Sequence, residues 1–229
     1  PILFPTPNRV SGGRYSFGGR DIAGIMHGNL RHSAFSVTAQ TPASVDAELP
    51  FSALGESFPY EGIFSLKLSV SASSVRWDFD IRNEGDEPLS FGLALHPFFL
   101  KMDGMRFSSS LEYEMEADDD KIPTGKWHRT DFGSGKDVSS IDTDTVFFSD
   151  SSIRSTLSSP AYTLEITGSE EFGHVVVYTA PDRSFICVEP QTCSTDAHNM
   201  HSKGFVKEAG LIIVPAHSSH RLWVRMDFS

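Results

Sequence analysis

Apolar and polar residues alternate strictly along two neighbouring stretches of the chain. Every second residue is apolar in residues 64–71, where the others are serine or lysine, and in residues 75–82, where the others are arginine or aspartate. A period of two residues is the pattern of a strand with one face in the core and the other in water. With the short connection 72–74 between them, the two stretches predict an antiparallel hairpin.

The same criteria predict strands over much of the remaining chain. Residues 89–96 alternate between large apolar side chains and a second face of Ser90, Gly92, Ala94 and His96. The polar segments 83–88 and 116–126 are predicted to be a turn and a loop. No stretch has the pattern of an amphipathic helix of ten or more residues, so we predict one all-β domain over residues 1–229, a large antiparallel β-sandwich. Its later strands are predicted at 162–167, 174–179, 184–189, 210–214 and 221–228.

Composition and charge narrow the classes of partner. The 229 residues suffice for one domain with a substantial core. They include 19 lysines and arginines against 30 aspartates and glutamates, a formal net charge of -11. That charge repels nucleic acid and anionic membrane surfaces, and no apolar run approaches the roughly 18 residues needed to cross a bilayer. We therefore expect a small-molecule partner, no nucleic acid and no membrane.

Two cysteines, Cys187 and Cys193, lie six positions apart on either side of Glu189 and Pro190. A disulfide between them would need a tight reversal of the chain, so two free thiols in a reducing compartment are predicted. No charged segment followed by an apolar one opens the sequence. These features together predict a cytoplasmic protein.

Two titratable residues, His96 and Glu189, each end a predicted strand and stand directly before a proline. Each alone could be a solvated residue at the rim of a sheet. Together they could face each other across a concave sheet, on opposite sides of a ligand, and act as a general acid and a general base that titrate near neutral pH. The small side chains on the strand face of His96 suggest room for a ligand beside its imidazole.

The residues also carry a family resemblance. The series NRV, HGNLR, LALHPFF and YTAPDRSFICVEPQTCSTDAHN resembles the motifs of the aldose 1-epimerase (mutarotase) family, and the likeness extends to GLIIVPAHSSHRLWVRMDF near the end of the sequence. It implies a galactose mutarotase-like β-supersandwich and the interconversion of α and β anomers of a free hexose. By this resemblance His96 donates a proton to the ring oxygen and Glu189 takes one from the anomeric hydroxyl, with no cofactor and no metal.

Four further residues are assigned to sugar binding by the same resemblance. Arg9 matches an arginine that contacts hydroxyls, although a surface ion pair would equally explain it. His27 matches a binding histidine, with Gly28 allowing close approach of the backbone. Asp144 matches a sugar-binding aspartate, although an aspartate in a polar turn is an equal alternative. Arg31 matches a position in the hexose-6-phosphate branch, where arginines bind phosphate.

The alternatives differ in substrate and in turnover. With Arg31 as the only well-placed phosphate donor, we predict an unphosphorylated sugar and keep a hexose 6-phosphate as the second candidate. A carbohydrate-binding protein without turnover is the third. The pairs His198 with His201 and His217 with His220 are interpreted as surface or loop residues, because no third metal ligand accompanies either pair.

The resemblance also implies several strands before the Asn8-Arg9 motif, where this sequence has only seven residues. Without those strands one sheet edge would lack neighbours, and another subunit could pair with it. A homodimer is therefore a further expectation.

Overall fold

The computed structural model describes residues 1–180, 182 and 184–229, and nearly half of them lie in short antiparallel strands. The strands of the first half are β1 Ile2–Leu3, β2 Arg14–Phe17, β3 Arg20–Ala23, β4 Ser36–Thr41, β5 Ser44–Pro50, β6 Gly62–Val70, β7 Ser74–Asn83, β8 Leu89–Phe91, β9 Ala94–Leu95, β10 Phe98–Leu100 and β11 Arg106–Ser109. Those of the second half are β12 Tyr113–Ala117, β13 Pro123–Arg129, β14 Lys136–Asp137, β15 Asp144–Phe148, β16 Arg154–Ser158, β17 Thr163–Gly168, β18 His174–Thr179, β19 Phe185–Gln191, β20 Ile212–Val214 and β21 Ser219–Phe228.

Helical structure among the described residues is limited to short turns. Two α-helices, α1 Ala197–Ser202 and α2 Val206–Ala209, follow β19. Short 3₁₀ segments occur at Ser11–Gly13, Leu30–His32, Phe51–Ser57 and Val138–Ser140. No helix in this part of the chain is long and apolar enough to cross a membrane.

Two large antiparallel sheets form the sandwich. One has the strand order β1-β9-β19-β18-β15-β12-β13, with β10 also paired to β19. The other has the order β14-β11-β16-β17-β21-β7-β6-β5-β4. Two two-stranded antiparallel sheets, β2 with β3 and β8 with β20, complete the fold. The all-β sandwich and the predicted hairpin, now β6 and β7, are confirmed.

The core lies between the two sheets and is built from the apolar faces of the alternating strands. Phe64 and Phe79 of one sheet are buried in the same cluster as Phe147, Val177 and Val188 of the other. Burial of each such side chain contributes on the order of 1.5–3 kcal/mol. The period-2 pattern thus determines which face of each strand points inward.

Two predictions, one of a loop and one of a strand, are wrong in detail. The predicted loop 116–126 is largely a hairpin, in which β12 and β13 pair and only residues 118–122 turn. Its polar composition reflects an exposed position at the sheet edge, where β13 has a neighbour on one side only.

The predicted strand 89–96 is divided into β8 and β9, which belong to different sheets. The small face of this segment is not space for a ligand, because Ser90, Gly92 and Ala94 are buried. A Cβ on Gly92 would lie 2.1 Å from the Cys193 Sγ atom. The small residues Ser90, Gly92 and Ala94 therefore make room for the segment that follows β19.

Both cysteines are free, as predicted, and both are buried. β1 lies at the edge of its sheet, with β9 as its neighbour. The homodimer stays a prediction.

Candidate active site

A cleft of about 310 Å³ opens on the face of the sheet that carries β19. Alternation along four neighbouring strands builds its floor, because every second side chain points to the same face. The floor residues are Met115 and Ala117 of β12, Asp144 and Val146 of β15, Val176 and Tyr178 of β18, and Glu189 of β19. Asn8, Arg9, His27, His96, Lys121 and Thr195 form much of the rest of its wall.

His96 and Glu189 meet at one side of this cleft. The His96 Nε2 atom lies 3.3 Å from the Glu189 Oε1 atom. We expected the two side chains to face each other across the width of a sugar ring, and this was wrong. β9 ends one residue before His96 and pairs directly with β19 through Ala94 and Gln191, so the two side chains are neighbours in one sheet.

Glu189 is almost completely buried, with 2% of its side chain exposed. Burial raises its pKa to about 8, and the negative charge of Asp144 adds to the shift, while the hydrogen bond from Gln191 acts against it. A carboxyl group in this environment can hold or release a proton near neutral pH, which a solvated glutamate cannot. Glu189 is therefore not a solvated rim residue.

Two buried amides hold the Glu189 carboxyl group in place. The Gln191 Nε2 atom is 3.4 Å from Glu189 Oε2 and 3.3 Å from Asn8 Oδ1. The Asn8 Nδ2 atom in turn donates to Gln191 Oε1 at 2.8 Å. Gln191 was not predicted from the sequence, although its position two residues after Glu189 on a strand places both side chains on one face.

The environment of His96 favours its neutral form. Burial lowers the pKa of His96, and its ring stacks on Phe98 at 4.7 Å between centroids. The pKa directions of His96 and Glu189 favour two uncharged groups, whereas their 3.3 Å contact favours an ion pair. In either state the two side chains together hold one titrating proton, on Glu189 or on His96. They therefore behave as one acid–base unit.

His27 approaches His96 from a tight turn of the chain. Its φ is +65°, and its amide donates to the Asn8 carbonyl at 2.8 Å. Gly28 also has φ +65°, and a Cβ there would lie 1.9 Å from the Phe4 carbonyl oxygen, so glycine is required for this close approach. The two imidazole rings are 5.8 Å apart, and burial lowers the pKa of His27 to about 4.

Five of the six residues predicted for the site line the cleft. They are His96, Glu189, Arg9, His27 and Asp144. Arg31 does not line it; its guanidinium donates to the Met26 carbonyl at 3.3 Å. Its charge nevertheless acts on the site, since it helps to lower the pKa of both His27 and His96.

Lys121 was missed because it lies in the turn 118–122, inside the segment interpreted as a loop. It is exposed and lines the cleft, and its φ of +63° places it at the tip of the β12–β13 hairpin. A lysine among the acidic residues 116–120 gave no signal in the sequence. Pairing of β12 with β15 brings this hairpin to the cleft.

A second depression, of about 470 Å³, lies on the other sheet. Six of its charged side chains form ion pairs, Lys67 with Asp46, Arg76 with Asp78, and Arg221 with Asp80. The acid–base chemistry is therefore concentrated in the first cleft.

Comparison with known proteins agrees with this arrangement. The family model for aldose 1-epimerase matches residues 1–213. The chain belongs to the aldose 1-epimerase family. The resemblance of its motifs is thereby confirmed.

Solved structures similar to this aldose 1-epimerase family member share its fold over its whole length. A protein from Synechocystis sp. PCC 6803 is 25% identical, with a TM-score of 0.84, and the match covers 100% of this chain and 77% of that one. A galactose mutarotase-like protein from Clostridium acetobutylicum is 19% identical, with a TM-score of 0.86 and coverages of 100% and 78%. An aldose epimerase homologue from C. elegans is 16% identical, with a TM-score of 0.80 and coverages of 100% and 81%.

One histidine of this aldose 1-epimerase family member was misassigned. His198 is not a surface residue: 5% of it is exposed, and its ring lies 3.8 Å from that of Tyr15. Burial lowers its pKa to about 3. The segment 191–198 is buried throughout, because it packs under the Asn8-Arg9 turn, where the Asp196 amide donates to the Arg9 carbonyl at 3.0 Å.

Proposed function

We propose that this protein interconverts the α and β anomers of an aldose by opening and closing the sugar ring. The observation that carries the proposal is the His96–Glu189 pair, whose Nε2 and Oε1 atoms lie 3.3 Å apart on the wall of an open cleft. The two oxygens that exchange protons in this reaction, the ring oxygen and the anomeric hydroxyl, are bonded to the same carbon. An acid and a base that are neighbours suit such a substrate.

The reaction needs two proton transfers and no redox step. Glu189 takes the proton of the anomeric hydroxyl while protonated His96 gives a proton to the ring oxygen. The bond between C1 and the ring oxygen breaks, and the carbonyl of the open-chain aldehyde forms. After rotation about C1–C2, the ring oxygen attacks the other face of the carbonyl and the two protons return.

The remaining cleft residues supply hydrogen bonds for a polyhydroxylated ligand. Arg9 offers guanidinium donors, Asp144 offers acceptors, and His27 is held neutral by its low pKa and can donate or accept. Asp144 also keeps the pKa of Glu189 high through its negative charge. Loss of either charged side chain is expected to weaken sugar binding more than it slows turnover.

Polarimetry on freshly dissolved α-glucose and α-galactose tests the proposal. We expect the wild-type protein to accelerate mutarotation and Glu189→Gln to lose about 10²–10⁴ in rate while still binding sugar, because an amide cannot accept the proton. Glu116→Gln, an exposed change on β12, is the matched control and should retain full activity. Near-wild-type mutarotation by Glu189→Gln would remove Glu189 from the mechanism, and sugar binding without any acceleration would indicate a non-catalytic carbohydrate-binding protein.

A second candidate substrate, a hexose 6-phosphate, is supported by the cations at the cleft. Arg9 and Lys121 line it, and the charge of Arg31 reaches both of its histidines. Two or more cations suit a phosphate dianion, which one alone holds poorly. Comparing glucose with glucose 6-phosphate separates the candidates. A preference for the phosphate ester that is lost in Lys121→Ala or Arg31→Ala would favour this branch.

A further inference from the structure

Three side chains of different chemistry converge beside the cleft. Ligand atoms of His96, Cys187 and Glu189 all lie within 4.8 Å of one another. Cys187 and Glu189 are two residues apart on β19, so alternation brings the thiol and the carboxylate to the same face of the sheet. His96 reaches them from the end of β9, through the contact between its Nε2 atom and Glu189.

This set of donors matches the coordination preference of one class of cation. An imidazole nitrogen, a thiolate and a carboxylate are the ligands of Zn²⁺ and of similar borderline-soft ions, whereas Mg²⁺ and Ca²⁺ prefer oxygen alone. Zinc bonds of about 2.0–2.3 Å require a side-chain adjustment of roughly 1 Å to bring the three atoms around one ion. The Gln191 amide already contacts the second oxygen of Glu189 and supplies an outer partner.

We propose that His96, Cys187 and Glu189 form a binding site for a thiophilic divalent cation of the Zn²⁺ class. His96 and Glu189 line the cleft, while Cys187 is buried beside them. Three protein ligands leave one tetrahedral position, which faces the cleft and is filled by water. Coordination displaces the Cys187 thiol proton and the proton shared by His96 and Glu189, and both pass to solvent.

The bound ion would act as an inhibitor of the proposed reaction. It would occupy the nitrogen that has to donate a proton and the carboxylate that has to accept one. It would also stand where the anomeric centre must approach, so metal and sugar would compete. This consequence rests on the proposed function, whereas metal binding itself does not.

Cobalt titration of the metal-free protein tests the site without any substrate. Co²⁺ replaces Zn²⁺ in such sites and reports a bound thiolate through a charge-transfer band in the near ultraviolet. We expect one equivalent of Co²⁺ to produce this band in the wild type and in Cys193→Ser, the control for the other buried thiol. The band should be absent from Cys187→Ser and Cys187→Ala, with circular dichroism confirming that both variants fold. A wild type without the band, or a band that persists in both Cys187 variants, would overturn the proposal.

Mutarotation in the presence of Zn²⁺ tests the inhibitory role. We expect Zn²⁺ to slow wild-type turnover and a chelator to restore it. Cys187→Ser should retain turnover but need at least about 10- to 100-fold more Zn²⁺ for the same inhibition, since even an outer-shell partner contributes that much to affinity. Equal sensitivity of the two proteins would contradict the role of Cys187. If the wild type has no epimerase activity, the cobalt titration still decides the metal site.

Discussion

At the scale of single residues, the site depends on what surrounds Glu189. A glutamate in water is ionised at neutral pH and is a weak base, whereas burial brings the pKa of Glu189 to about 8. A base with a pKa near the working pH is the more effective catalyst. In the proposed reaction His96, whose pKa is lowered by burial, is the complementary acid.

The pH dependence of turnover should report this pair. The reactive form holds one proton, so kcat/KM should form a bell-shaped profile. We expect the alkaline limb near pH 8, where the shared proton is lost, and the acid limb below 6.5, where a second proton binds. Both limbs belong to the pair rather than to either residue. Rate measurements between pH 4 and 10 check this, and a profile that is flat from pH 7 to 10 would contradict it.

Gln191 is a positioning residue in this scheme. Gln191→Leu removes the donor to Glu189 and leaves the Asn8 amide without its buried partner. Because that hydrogen bond lowers the pKa of Glu189, we expect the alkaline limb to move to higher pH and kcat to fall by about tenfold. Gln40→Leu, a change on the exposed strand β4, should alter neither quantity. A reduced kcat with an unchanged pH profile would indicate a merely structural role.

At the scale of elements, register and alternation assemble the site. β15, β18 and β19 pair so that Asp144 is opposite Tyr178 and Val176 is opposite Glu189. These four side chains therefore share one face of the sheet, while Val175, Val177 and Val188 enter the core on the other. A shift of register by one residue would exchange the two sets.

The break between β8 and β9 depends on Gly92. Its missing side chain admits Cys193 and Pro7, whose atoms would lie 2.1 and 2.9 Å from a Cβ. We expect Gly92→Ala to destabilise the fold by about 1–3 kcal/mol, because neither neighbour is a flexible chain end. Urea unfolding measures this, with Gly133→Ala as the control, since a Cβ there meets open space. Equal stability of the two variants would show that the segment after β19 moves freely.

At the scale of the whole molecule, buried titratable groups link stability to pH. His174 and His198 are buried, and burial lowers their pKa values to about 4 and 3, from 6.5 in the unfolded chain. Between the folded and the unfolded pKa values, the unfolded chain binds more protons than the folded one. The free energy of unfolding is therefore highest above pH 6.5 and decreases as the pH falls below it. We expect the urea midpoint to decrease from pH 7 to pH 4.5. His198→Gln should reduce this decrease and the exposed His217→Gln should not.

Glu189 acts on stability in the opposite sense. Its folded pKa of about 8 lies above its unfolded value of 4.5, so its contribution is fully favourable only below pH 4.5 and is lost as the pH rises through 8. At pH 8.5 we expect Glu189→Gln to have a higher urea midpoint than the wild type. A substitution that makes the protein more stable but removes turnover is typical of a catalytic site. An unchanged or lower midpoint would mean that the buried carboxylate is fully compensated.

The sequence by itself determined the elements with a strict period of two. The hairpin 64–82 and the strand 163–168 follow their patterns, because alternation expresses which face of a strand meets the core. The candidate acid and base were also readable, since His96 and Glu189 each stand directly before a proline in a motif, although β19 continues past Glu189 to Gln191. The edge strand β13 was not readable, because a strand that is exposed on both faces has no apolar period.

Only the tertiary structure decided how these residues meet. The 3.3 Å contact of His96 with Glu189 depends on β9 lying beside β19, a pairing of Ala94 with Gln191, 97 positions apart, that no local pattern encodes. The same is true of the Asn8–Gln191 amides and of Lys121 at the cleft. The pKa of a carboxyl group is likewise set by the water and the charges around it. The sequence could therefore name the proposed acid and base, but only packing could shift their pKa values.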